Sequence, residues 1–138
     1  MQYEHEVKYY ECDRMGITHH SNYIRIMEEA RVYWMDRIGY GFERMEADGV
    51  MSPVIEISCR YKHTSTFKDV IKVDIKVAEM SSLKIGFDYI MTVGGNTVCE
   101  AHSTHCFLEN GRPVSLEKRF PELYKLITDE ISKADKQL

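Results

Sequence analysis

Residues 9–23 carry the densest set of groups able to do chemistry. They read Tyr9-Tyr10-Glu11-Cys12-Asp13-Arg14-Met15-Gly16-Ile17-Thr18-His19-His20-Ser21-Asn22-Tyr23. A carboxylate, a glycine and two histidines stand just before a stretch of helical period. The first turn of a helix has unpaired N–H groups and a partial positive charge. Such donors can hold a developing oxyanion. A carboxylate beside them can attack a carbonyl or act as general base toward water. Acyl transfer needs both functions. The same spacing also fits a polar loop in which Asp13 makes local turn bonds and Ser21 or Asn22 caps the helix. Spacing alone leaves the two readings open.

The elements around this segment follow from apolar period. Tyr3, Val7 and Tyr9 alternate, predicting a strand over residues 2–9, and residues 10–20 form a loop. From Ser21 to Ile38 the period becomes helical: Ile24, Met27, Arg31, Trp34 and Ile38 form one stripe, with Ile26, Ala30, Tyr33 and Arg37 beside it. Two adjacent apolar stripes imply a wide buried face. Gly39 and Gly41 end the helix, and a short helix or turn follows near Phe42–Ala47. Four strands with period-two alternation come next, carrying Ile55 to Tyr61, Ile71 to Val77, Ile85 to Val93 and Cys99 to Phe107. One polar face on each marks an antiparallel sheet covered on one side. Gly94-Gly95-Asn96 is a hairpin turn. A terminal helix is predicted from Phe120 to Lys133, with Pro121 in its first turn. One wide apolar helix and one one-sided sheet satisfy each other if the sheet wraps the helix, an α+β layer arrangement.

Composition narrows the class. The chain has 138 residues with 43% hydrophobic and 29% charged residues, which fits one soluble domain over residues 1–138. Net charge is -4, with no sustained basic run, so nucleic acid is not the expected partner. Cys12, Cys59, Cys99 and Cys106 form no C-x-x-C pair and read as free thiols in a reducing compartment. The first residues lack the basic and apolar regions of a signal peptide, and no stretch approaches a membrane span, so the cytoplasm is expected. His102 and His105, three apart on a strand, point to opposite faces, which argues against a metal pair.

The segment from Asp13 to Tyr23 resembles the active-site segment of the 4-hydroxybenzoyl-CoA thioesterase family, hotdog proteins that include the Tol-Pal-associated acyl-CoA thioesterases. Asp13, Gly16, His20, Asn22 and Tyr23 fill the family's positions in register, and Glu28-Glu29-Ala30-Arg31 resembles its helix. The resemblance implies a hotdog fold, an antiparallel sheet wrapped around a long central helix. It implies hydrolysis of acyl-coenzyme A to a carboxylic acid and coenzyme A, with no metal or redox cofactor. Asp13 would be the catalytic carboxylate, as nucleophile or as general base. Gly16 would let the chain pass close to the thioester. The His20 N–H would contribute the oxyanion hole, with its side chain as a second catalytic candidate. Tyr9 matches an aromatic position that orients the carboxylate. His19 matches a variable position and Cys12 reads as a packed small residue.

The resemblance also implies a homodimer or homotetramer joined edge to edge through the sheets, with sites at the subunit interface. Arg60, Lys62, His63 and Lys68 could meet coenzyme A phosphates, or else serve as strand-edge charge that blocks aggregation. Another hotdog lineage takes its carboxylate from the helix, making Glu28 and Glu29 the alternative acids; their plainer reading is ion pairing near Arg25 and Arg31. Met15, Phe42, Met45 and Met51 are candidates for an acyl pocket or for ordinary core. Two competing functions share the fold: an acyl-carrier-protein thioesterase, and a non-catalytic acyl-CoA-binding protein.

Overall fold

The helix α1 spans Ser21–Ile38, where the apolar period predicts it. The structure, a computed structural model, describes residues 1–136, so the last two residues of the expected 1–138 domain lie outside the described residues. α1 buries Tyr23, Ile26, Met27, Ala30, Trp34, Met35 and Ile38. Each large apolar side chain so buried contributes roughly 1.5–3 kcal/mol. Ile24 departs from its predicted stripe and is 42% exposed. Gly39 stops the helix with φ +92°, a left-handed conformation in which its N–H bonds back to the last turn. A short helix α2, Phe42–Asp48, follows.

The main sheet is built from β1 (Gln2–Glu6), β3 (Val54–Tyr61), β4 (Val70–Met80), β5 (Lys84–Val93) and β6 (Asn96–Cys106), in the order β1-β4-β5-β6-β3. Every neighbouring pair is antiparallel. Ile71, Val73 and Ile75 of β4, Ile85, Phe87, Tyr89 and Met91 of β5, and Cys99 and Ala101 of β6 form the buried face. Trp34 of α1 meets Phe87 edge-on at 5.2 Å between ring centroids. The opposite face carries Lys72, Asp74 and Lys76, as period two requires. The helix lies in the concave side of this sheet, the arrangement the sequence implies.

Three details differ from the sequence reading. The first strand ends at Glu6, and Tyr9–Glu11 form a 3-10 turn. β3 alternates in sequence yet leaves Ile55 50% and Tyr61 47% exposed, because it is the edge of the sheet. A second, small sheet of β2 (Val50–Met51), β7 (Leu108–Glu109) and β8 (Arg112–Pro113) closes the far end. Two-residue strands carry no period to read. A short helix α3 (Leu116–Arg119) then precedes α4 (Pro121–Lys136), which buries Leu123 and Ile127. An Arg44–Glu122 ion pair joins α2 to α4.

A chain of polar groups runs through the apolar interior. Arg31 Nη1 donates to Tyr89 OH at 3.0 Å, Tyr89 OH lies 2.6 Å from Ser103 Oγ, and Ser103 Oγ lies 2.8 Å from His105 Nε2. His105 is 2% exposed, whereas His102 turns to the outer face and meets Asp88 Oδ1 at 2.7 Å. Burial, and secondarily the Arg31 charge, lower the His105 pKa to about 4.

Two outcomes follow. Ile26→Ala, at a site with 0% exposure, should cost about 2–5 kcal/mol in urea unfolding. Because His105 binds its proton more readily in the unfolded chain, its contribution is complete above about pH 6.5, the ordinary histidine value. As pH falls from there toward 4, stability should drop by up to about 1.4 kcal/mol per pH unit. His105→Gln should flatten that slope; an unchanged slope would place the proton uptake elsewhere.

Candidate active site

The loop before α1 is a tight backbone structure. Asp13 N–H donates to Ile17 O at 2.9 Å, and Gly16 N–H donates to Asp13 O at 3.0 Å. Cys12 and Thr18 pair as an isolated antiparallel bridge. Gly16 turns the chain with φ +77°, a conformation its missing Cβ allows. Asp13 Oδ1 accepts the Met15 N–H at 2.8 Å, the local turn bond of the plainer reading. An ionised carboxylate has about four acceptor positions. One turn bond therefore holds the side chain in place and leaves Oδ2 without a protein partner among the described residues.

The segment after β3 braces this loop. Thr18 N–H donates to Ser65 O at 2.8 Å, Thr66 Oγ1 donates to Gly16 O at 2.7 Å, and Tyr23 OH lies 2.8 Å from the buried Ser65 Oγ. Nothing in the sequence pattern marked Ser65 and Thr66; polar residues between strands read as ordinary loop.

His20 is the N-cap of α1, with helical φ -55° and no side-chain cap bond. Neither expected capping residue caps the helix. Ser21 Oγ pairs with His19 Nδ1 at 2.8 Å, and Asn22 Nδ2 donates to Glu11 O at 2.8 Å. The His20 N–H donates to no protein acceptor among the described residues, so the helix start presents a free donor. The His20 ring stacks on His19 at 4.2 Å and approaches Tyr61 of the edge strand at 6.1 Å.

Asp13 opens on a groove of about 1010 Å³ along the outer face of α1. His19, Asn22, Arg25, Glu28 and Glu29 also line it. Beneath it lies an unpredicted cluster of polar groups. His5 Nε2 is 2.8 Å from Glu11 Oε1, and His5 Nδ1 is 3.0 Å from Glu29 Oε2. Glu11 is 5% exposed and also accepts the Lys8 N–H at 2.7 Å. Glu29 thus meets His5 and not Arg25 or Arg31. Arg25 reaches Asn22 Oδ1, and Arg31 turns inward.

The remaining candidates scatter. Tyr9 is 80% exposed, with its ring edge-on to Phe67 at 5.5 Å. Arg60, Lys62, His63 and Lys68 are all exposed, on β3 and on the segment that carries Ser65 and Thr66. None of the four is ion-paired among the described residues. Met15 sits exposed at the loop tip, while Phe42, Met45 and Met51 line a separate cleft. All four cysteines are free thiols. No helix among the described residues is long and apolar enough to cross a membrane.

Residues 7–125 match the thioesterase-like superfamily. The chain is 34% identical to a protein of Aquifex aeolicus named "Putative esterase", over 89% of this chain and 96% of that one. It is 32% identical to "Putative acyl-CoA thioesterase YneP" of Bacillus subtilis, over 86% of this chain and 88% of that one. Among solved structures, the DHNA-CoA thioesterase of Staphylococcus aureus superposes with a TM-score of 0.92 at 24% identity, covering 99% of this chain and 94% of that one. This last likeness is one of fold, and the fold is the hotdog.

The Glu11 cluster gives a test of what holds the loop. Glu11→Ala leaves the buried His5 and the Lys8 N–H without their acceptor, so unfolding should become easier by about 1–3 kcal/mol for each group left unsatisfied. Glu29→Gln, at a side chain 46% exposed, should cost less than about 1 kcal/mol. Chemical denaturation of the two variants would separate them, and equal costs would contradict the assignment.

Proposed function

The chain belongs to the thioesterase-like superfamily and is a thioester hydrolase, and from that premise we propose that its substrate is an acyl-coenzyme A thioester and that Asp13 is the carboxylate that starts the reaction. The observation that supports this reading is a carboxylate held by one turn bond on the short loop that leads into a helix start with a free donor. Two routes begin at Asp13. Its carboxylate can attack the thioester carbon, giving a mixed anhydride and the coenzyme A thiolate, with water then cleaving the anhydride. It can instead take a proton from a water that attacks the same carbon. Both routes load negative charge onto the carbonyl oxygen, and the His20 N–H is the donor for it. Gly16 holds the loop in its turn beneath the thioester. The His20 side chain, exposed at the helix start, is the second group available for proton transfer. Tyr9 and Phe67 form the aromatic wall beside the loop. The resemblance of the Asp13-to-Tyr23 segment to the 4-hydroxybenzoyl-CoA branch supports these roles.

Arg60, Lys62, His63 and Lys68 are the proposed cations for the coenzyme A phosphates, since they are exposed, unpaired within the described residues and continuous with the segment that braces the site loop. The assembly we propose is a homodimer, extendable to a homotetramer, of single-domain chains joined along β3. Ile55 and Tyr61 there are half exposed on an unpaired sheet edge. The free thiols suit the reducing cytoplasm.

Free-thiol release from a panel of aromatic and aliphatic acyl-CoA thioesters tests the reading. Asp13→Asn should lower hydrolysis by about 10²–10⁴-fold. Equal rates in mutant and parent would remove Asp13 and point to Glu28 or Glu29. Hydrolysis of acyl-carrier-protein thioesters alone, or coenzyme A binding without hydrolysis, would favour the two competing functions. Ile55→Lys should shift the protein toward monomer in analytical ultracentrifugation.

A further inference from the structure

Arg31 places a positive charge inside the protein, and no acid among the described residues answers it. It is 8% exposed and lies between α1 and the sheet. Its hydrogen bond from Nη1 goes to Tyr89 OH, and no carboxylate lies within ion-pair distance of it among the described residues. Burial raises the Tyr89 pKa despite Arg31, so this partner is a neutral hydroxyl. A guanidinium has five N–H donors in a planar fork. A buried charge left without a counter-ion is costly.

Arg31 borders about 30 Å³ of free space, with Met35, Phe42, Met45, Ser52 and His105 among the other walls. That is room for about two water-sized groups. Phe42, Met45 and Ser52 also line a wider cleft of about 250 Å³ beneath α2, where Val50, Met51 and Pro53 complete the walls. The two spaces share Phe42, Met45 and Ser52 as walls, and the rim of the wider cleft, at Met51, is 59% exposed. This cleft is separate from the groove at Asp13. Arg25, Glu29 and Val32 of α1 face the groove, whereas Arg31 and Met35 face the inner space.

We propose that this cleft binds a small organic monocarboxylic acid, with its carboxylate on Arg31 and its apolar body against Phe42, Met45 and Met51. Two oxygens fit the inner space, and a carboxylate presents two to the guanidinium fork. A phosphate or sulfate brings more oxygens than the space holds, and the apolar walls offer them few donors. His105 Nε2 is occupied by Ser103 at 2.8 Å, so one positive charge awaits one negative charge. A thioester hydrolase releases acids of this class, yet the proposal stands whether or not Asp13 is the catalytic group.

The test uses matched ligands on the whole protein. Phenylacetate and octanoate would be titrated against phenylacetamide and octanamide, which keep the shape and lose the charge. Thermal shift and the Arg31 Nε–H NMR resonance are the readouts. The acids should raise the melting temperature and move the Arg31 resonance, and the amides should do neither. Asp13→Asn should bind the acids as the parent does, which separates this cleft from the catalytic groove. Arg31→Met should weaken acid binding by about thirtyfold or more. Equal effects of acid and amide, a stationary Arg31 resonance, or acid binding that survives in Arg31→Met would each overturn the proposal. If Arg31→Met fails to fold, the acid–amide comparison and the Arg31 resonance decide the question in the parent protein.

Discussion

A buried carboxylate at Glu11 is the constraint on which the site depends. An acid that is 5% exposed must have its charge answered nearby, and here the backbone of Lys8 and the ring of His5 answer it. Satisfying that charge fixes the 3-10 turn against β1. The same residue's carbonyl then receives the His19 N–H and the Asn22 side chain at 2.8 Å each, which ties the turn to the start of α1. Asp13 sits between these two attachments. Its position follows from a carboxylate two residues earlier, held by the Lys8 N–H and His5.

The helix supplies the other half. α1 is buried because its apolar face is wide and the sheet beneath it is one-sided, and neither could stand alone in water. Burial puts the N-terminus of α1 at the mouth of the sheet, where Ser65 and Thr66 hold the preceding loop. The unpaired N–H at His20 is one of the orphan donors of any helix start, and packing decides where it points. An isolated helix would spend that donor on water. In the proposed reaction a substrate oxygen takes the place of that water. The other end of the helix face shows what packing leaves unresolved: Arg31 is carried into the interior with a tyrosine hydroxyl for company.

Period carried most of the fold. Ser21–Ile38 was readable because two apolar stripes run side by side, and β4 to β6 because alternation persists over ten or more residues. β2, β7 and β8 were not readable, since two residues have no period and their pairing is set by contacts distant in sequence. Alternation in β3 predicted a buried face that the edge position leaves half open. At the site, residue types pointed to Asp13, Gly16 and the helix start. They did not reveal that His5, next to the N-terminus, would reach Glu29 in the middle of the helix, because that contact exists only after β1 joins β4. Helix capping by Ser21 or Asn22 was the natural expectation from residue type. Both side chains have partners that the fold brings closer: His19 for one, the carbonyl of Glu11 for the other.

The central claim is that Asp13 and the start of α1 act on one carbonyl. The most direct measurement is a crystal structure of Asp13→Asn with a slowly cleaved acyl-CoA bound. The account predicts the thioester carbonyl oxygen within hydrogen-bond distance of the His20 N–H, with the residue 13 side chain beside the carbonyl carbon or a water between them. A thioester seated against Glu28 or Glu29, with its oxygen remote from His20, would contradict it.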